Sequence, residues 1–347
     1  MKKLSIVSIL GILTLSFITS CANMTDDYDQ EQMAEPTPVI KETEKQKKRS
    51  VSYITEFGTA PAKTDRDYAF AMTEKELFPL YAEKKTFAGW TDSVSGTLIN
   101  VKHKITDDMV LTANWRDIQA GDIVLAEGPI VSTECYGVVK NSVHPMAIIY
   151  QATGGKYMGV SVKTTRTFWT DLTSKRVTSI KFSKTGKESY ESIKKENRTI
   201  FTDKNFPVLA YAEHYADLFT DIQNCQYATG WYIPAEEELK KVYQEFSIIN
   251  KSYAKIEKNS KLVQNYTSLD GAWTSSSDGT YIYGIGLVKS GDYEEMRRSL
   301  VSRKQETPPY LVGYTEYSIT IGSSAYKFFT MRMNSTKTLN AYCIREF

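Results

Sequence analysis

The chain has 347 residues, 41% of them apolar, which is room for two domains and a real core. Its 43 lysines and arginines face 41 acidic residues, and without the two lysines of the first twenty residues the balance is 43 − 2 = 41 against 41, so no electrostatic case exists for nucleic acid. Four cysteines and three widely spaced histidines, with no Cys-x-x-Cys, do not give metal-ligand spacing, and neither a metal nor a cofactor is expected.

In chain order, Lys2 and Lys3 form a positive start and "LSIVSILGILTLSFI" an apolar run too short and too early for a stable span. The run ends in "ITSC", residues 18–21, which matches the bacterial lipobox: small residues precede a cysteine that is lipidated and becomes the new N-terminus. Residues 1–20 therefore read as a lipoprotein signal peptide, Cys21 as the lipid-attachment site, and the membrane as a partner through that anchor. Residues 21–49 are polar, carry Pro36 and Pro38, and cannot bury enough surface to offset their ordering entropy. They read as a flexible tether with a reach of about 30 Å.

Residues 50–115 read as strands at "VSYITEF", "TFAGWTD" and "MVLTANW", with a short helix at "TEKELFPLY". In the last strand Leu111, Ala113 and Trp115 share one face, and Val110, Thr112 and Asn114 the other. The span resembles a Listeria–Bacteroides repeat, the internalin B-type module, through Phe87, Gly89, Trp90 and Asp92 and the closing "ITDDMVLTANW". That resemblance implies a small β-grasp-like module without catalysis, with Trp90 and Trp115 in its core. Its opening departs from the family, because no Gly-Gly turn stands near "EFGTAP".

Residues 117–347 form the next unit. "GDIVLAEG" and "PMAIIYQATGGKYMGVSVKTT" read as strands, the second pair joined by a hairpin at Gly154-Gly155. Residues 171–200 read as a long loop, and "FPVLAYAEHYADLF" as a helix. "GWYIPAEEEL" then places Glu236, Glu237 and Glu238 behind Pro234. Leu239, Val242, Tyr243 and Phe246 follow at i, i+3, i+4 and i+7, one buried stripe of an amphipathic helix with Pro234 in its first turn. Acids there meet unpaired N–H groups and the positive end of the helix dipole, and two of them precede Lys240 and Lys241 by four residues. The three glutamates thus read as a helix start on a solvated face rather than as active acids.

"TGWYIPAEEEL", "GAWTSSSDGTYIYGIGLVKSG" and "NAYCIREF" together resemble the domain at the C-terminus of Legionella collagen-like protein, whose fold belongs with C-type lectins and formylglycine-generating enzymes. Trp231, Pro234, Glu238, Leu239, Trp273, Ser275, Ser276, Cys343 and Arg345 fit its pattern; Tyr232 and Ile233 depart from its usual Arg-Leu. The resemblance implies an α+β fold class for the whole, a β-grasp-like repeat followed by a C-type-lectin-like α+β domain. It implies that Cys225 and Cys343 are neighbours and candidates for a disulfide. It also points to the loops around the last strands as a binding face, with Asp278, Tyr281, Arg297 and Arg298 as contacts in a tyrosine-rich region.

Sharper chemistries find no support in the sequence. "AWTSSSDG" offers serines and one acid, Asp278, in place of the Asn and Asp that ligate calcium in true C-type lectins, and no Gly-x-Ser-x-Gly elbow is present. The expectation is a non-catalytic, lipid-anchored envelope protein, in the outer membrane and surface-exposed, presenting a binding module to an extracellular protein or glycan. The alternatives are a divergent enzyme of the formylglycine-generating type and a structural envelope protein without a ligand.

Overall fold

The computed structural model describes residues 48–170, 185–196, 198, 201–220, 225–258, 260–262, 271–277, 282–295, 298, 311–321, 324–333 and 338–347. They form a mixed α and β structure. The first strands are β1 (Arg49–Ile54), β2 (Thr64–Arg66), β3 (Phe70–Ala71), β4 (Lys85–Asp92), β5 (Lys104–Ile105) and β6 (Met109–Asp117). Then come β7 (Ile123–Leu125), β8 (Ile130–Val131), helix α1 (Thr133–Val139), β9 (Pro145–Thr153), β10 (Lys156–Ser161) and β11 (Thr165–Phe168). The helices α2 (Gly186–Glu196), α3 (Pro207–Glu213), α4 (Glu236–Gln244) and α5 (Phe246–Ile256) precede β12 (Ala272–Ser277) and β13 (Ile282–Lys289). The chain closes with β14 (Leu311–Ile321), β15 (Ser324–Met333), β16 (Thr338–Ala341) and β17 (Ile344–Glu346).

One nine-stranded sheet has the order β17-β10-β9-β7-β8-β4-β6-β1-β2, and a second, six-stranded sheet the order β11-β16-β12-β13-β15-β14. The first sheet does not stop at the boundary expected near residue 116. Strand β8 pairs in parallel with β4, setting Thr86 opposite Ile130 and Phe87 opposite Val131. Strand β7 separates two cores by the period-two rule of a strand. Ile123 and Leu125 pack with Phe87, Trp90 and Leu111, whereas Val124 packs with Ile148, Trp169 and Trp273. Val131, Cys135, Tyr136 and Val139 complete the first of these cores from beyond residue 117.

A buried charge pins the junction. Asp122 is 1% exposed and takes both Nη groups of Arg116, at 2.8 and 2.5 Å. Thr86 Oγ1 donates to the same carboxylate at 2.6 Å and the Gln119 amide at 3.0 Å. A desolvated carboxylate needs this full set of donors to be tolerated.

Several expectations are met. The faces of β6 fall as its alternation predicts, with Leu111 and Ala113 buried. Gly154 and Gly155 turn the β9–β10 hairpin with φ of 60° and 74°, a left-handed conformation that glycine adopts without cost. A hairpin also forms at the start, where β1 pairs antiparallel with β2 although no Gly-Gly turn joins them.

Others are corrected. Residues 73–81 make turns, not a helix: Thr73 and Glu76 bond reciprocally, and Pro79 halts any continuation. The span expected as a loop over 171–200 contains the eleven-residue helix α2. The helix expected over 206–219 breaks at His214 into α3 and a 3-10 turn, Tyr215–Leu218. Pro234 stands one residue before the N-cap of α4 rather than in its first turn, and Phe246 opens α5 after a break at Glu245.

Candidate functional site

The three glutamates divide into three roles. Glu238 is partly buried and its Oε2 accepts the Ala235 amide at 2.9 Å, the backward arm of a capping arrangement at the start of α4. The same oxygen accepts the Gly186 amide at 2.8 Å, and Oε1 accepts the Tyr232 hydroxyl at 3.1 Å. One carboxylate therefore ties together the first residues of two helices and an aromatic ring. Glu236 accepts Thr330 Oγ1 at 2.7 Å and pairs with Lys240 at 3.0 Å. Glu237 is exposed and reaches Lys240 at i+3, 2.8 Å away. Two of the three are thus partly buried fastenings, which corrects the expectation of a uniformly solvated face.

That fastening holds α2 against the segment 229–232, and a cleft of about 230 Å³ lies between them. Lys187, Tyr190, Glu191 and Lys194 line one wall. Their spacing is i, i+3, i+4 and i+7, a single face of the helix. Glu213 at the end of α3, bonded to that face, and residues 229–232 complete the lining. Gly230 takes φ of 90°, where a Cβ would stand 3.2 Å from Arg345 Nε, so both backbone and space favour glycine.

The wall of the cleft is internally bonded. Tyr190 donates its hydroxyl to Glu213 Oε2 at 2.8 Å, and Lys194 Nζ donates to Glu213 Oε1 at 3.1 Å and to Tyr190 at 3.3 Å. Burial by itself would raise the Glu213 carboxyl, but the bonds from Tyr190 and Lys194 outweigh it and hold the group below its ordinary value. Tyr190 is pushed up to about 12, by burial first and by Glu213 second. Lys194 is raised chiefly by its bond to Glu213. Trp231 is fixed by its Nε1 donating to the Tyr227 carbonyl at 2.8 Å and by the Tyr215 ring, 4.4 Å between centroids.

Arg345 stands behind Gly230, over the rings of Tyr227 at 4.8 Å and Phe347 at 5.4 Å. Burial lowers its pKa below the usual guanidinium value. Its Nη1 is buried without a hydrogen bond among the described residues.

Of the residues expected to carry function, Cys21, Asp278, Tyr281 and Arg297 lie outside the described residues. Arg298 is exposed, and its Nε donates to the Glu294 carbonyl at 3.3 Å, one turn back on its own backbone. The expected bond between Cys225 and Cys343 is not formed; both are free thiols, as is Cys135. Cys225 Sγ instead lies 3.8 Å from Met146 Sδ. Cys343 is fully buried, its backbone paired with Ser161 at 2.9 Å and its thiol pushed well up by burial. Burial pushes the Cys135 thiol up to about 12. Cysteines placed this way act as small apolar core residues.

The cleft has no clear mark in the sequence, since its α2 wall lies in residues 171–200, which read as a loop. The signal was present in the spacing of Lys187, Tyr190, Glu191 and Lys194, but only two apolar residues, Tyr190 and Ile193, mark the helix. Comparison with family models, with curated proteins and with solved structures gave no match.

Proposed function

We propose that this is a non-catalytic, lipid-anchored cell-envelope protein that presents a binding module to a protein or glycan partner at the outer surface. The lipobox ending at Cys21 supplies the anchor and residues 21–49 the tether. The observation that carries the binding reading is the cleft of about 230 Å³ between α2 and residues 229–232, with charges of both signs on its rim. The β-grasp-like reading of 50–115 is supported by the interlocked Phe87, Trp90 and Trp115 rings, at 5.5 and 5.2 Å between centroids. The C-type-lectin-like reading of 117–347 is supported by the return of β17 to pair with β10, and by the bridge from Tyr232 to Ile344. Among the described residues no helix is long and apolar enough to cross a membrane.

Cys21→Ala is the direct test. It should abolish metabolic labelling with radioactive palmitate and leave the signal segment uncleaved by the lipoprotein route. Labelling unchanged in the variant refutes the anchor. Protease added to intact cells should digest the native protein; protection until the cells are opened refutes surface exposure.

A further inference from the structure

We propose that the exposed face of α5 is a membrane-contact surface, whose lysines lie on the anionic lipid headgroups of the bilayer that holds the protein's own anchor. The proposal rests on the lipid-anchor reading and adds to it which face of the folded part meets the membrane.

Packing fixes the rotation of α5. Ile249 and Ser252 are buried, at 0% and 2% exposed, and Ser252 Oγ donates to the Gly121 carbonyl at 2.6 Å. Phe246, Tyr253 and Ile256 pack on the same core. That leaves Ser247, Ile248, Lys251, Ala254 and Lys255 turned outward along one face of the helix. Lys258, just past the helix end, is exposed as well.

The charge on this face is of one sign. The eleven residues of α5 include no acid, and Glu257, next along the chain, accepts the Tyr253 hydroxyl at 2.6 Å. Lys251, Lys255 and Lys258 have no hydrogen-bond or ion-pair partner among the described residues, whereas Lys194 and Lys240 each hold a carboxylate. Lys251 and Lys255 stand at i and i+4, where like charges repel and weaken a helix. An external anionic surface supplies the missing counter-charge, and each lysine brought to it favours contact about fivefold. Two observations favour lipid over a soluble polyanion. Ile248, 38% exposed, lies one turn from Lys251 on the same face, and a headgroup layer accepts an apolar side chain that a soluble polyanion does not. Residues 21–49 keep the folded part within about 30 Å of the bilayer, so a patch that binds weakly from solution acts at high effective concentration.

Vesicle co-sedimentation tests this with the processed chain, residues 21–347, made without acylation. The chain should partition onto vesicles of phosphatidylcholine and phosphatidylglycerol in equal parts but not onto phosphatidylcholine alone, and added salt should release it. Replacing Lys251→Gln, Lys255→Gln and Lys258→Gln together should lower the partition at least about tenfold, with thermal unfolding unchanged or slightly raised as the repulsion is removed. Ile248→Ser should lower it about threefold. Should the triple variant unfold, Lys251→Gln alone, expected to weaken partition about fivefold, gives the same reading. Equal partition onto neutral vesicles, partition that the lysine variants leave unchanged, or no partition at all overturns the proposal. Partition indifferent to Ile248→Ser, together with equally tight binding of heparin, also overturns it, since the face is then a general polyanion surface. Palmitate labelling of the native chain separates the two readings. A labelled chain without vesicle partition removes the α5 surface and keeps the anchor; partition without labelling removes the anchor and keeps the α5 surface.

Discussion

Glu238 accepts two backbone amides and a tyrosine hydroxyl, whereas its neighbour Glu237 makes one exposed ion pair. Glu238→Ala leaves three donors unpaired at a partly buried site and should cost about 2 kcal/mol in urea unfolding. Glu237→Ala should cost below about 0.5 kcal/mol, as exposed pairs do. Equal costs would show that the two carboxylates share one role. Glu213 makes a pH prediction. Burial raises its pKa, but the bonds from Tyr190 and Lys194 prevail and the folded value lies below the unfolded one. A depressed carboxyl contributes stability above its unfolded pKa, about 4.3, and loses it as pH falls through the folded value. Wild type should therefore lose more stability than Glu213→Gln on acidification from neutral pH to below that value. The difference is less than about 1 kcal/mol, because the Glu213–Lys194 pair is more than a third exposed on both sides. Parallel losses in the two proteins would contradict the assignment.

At the scale of elements, Gly89 explains why the Phe87 to Trp90 motif contains a glycine. The register of β4 against β6 shifts between Phe87 and Gly89, a bulge, and Gly89 takes φ of 114° there. A Cβ would also stand 2.5 Å from Leu98 Cδ1. The bulge turns both Phe87 and Trp90 into the same core, where their exposure is 0% and 1%. Gly89→Ala should therefore destabilise by about 2 kcal/mol, measured as a shift in the urea midpoint at unchanged slope. A neutral result would mean that β4 repacks without its bulge. Helix α2 shows the opposite economy: its stripe is thin, and its start is secured by Glu238 from another helix, through the Gly186 amide. A Cβ on Gly186 would stand 2.0 Å from the Ile233 carbonyl, so the approach of α2 to the 232–235 segment depends on that glycine.

For the whole molecule, the nine-stranded sheet makes residues 50–115 and 117–347 interdependent. Cutting at residue 116 removes β4 from β8, strips Asp122 of Arg116 and Thr86, and exposes the core faces of Ile123, Leu125, Val131 and Tyr136. A fragment of residues 117–347 should consequently lack a cooperative thermal transition, or precipitate, where the full chain melts in one step. A fragment that melts cooperatively at the temperature of the full chain would show that residues 50–115 are detachable.

The strands with clean alternation and the helix led by the three glutamates were legible in the residues, because burial of one face imposes a period of two or 3.6 on the sequence itself. So were the burial of Trp90 and the Gly154-Gly155 hairpin, whose causes lie within a few residues. Tertiary structure alone decided the rest. That β8 joins β4 in parallel is a pairing between segments about 44 residues apart, with no local mark in either. Glu238 is neighbour to Gly186 only after folding, 52 positions apart in the chain. The thiols of Cys225 and Cys343 stay free because Cys225 is seated against Met146 and Cys343 against Ser161, contacts that spacing does not encode. The cleft has the same origin: its charged helix face reads as ordinary solvated surface until the aromatic segment 230–232 is laid beside it, and only packing supplies that second wall.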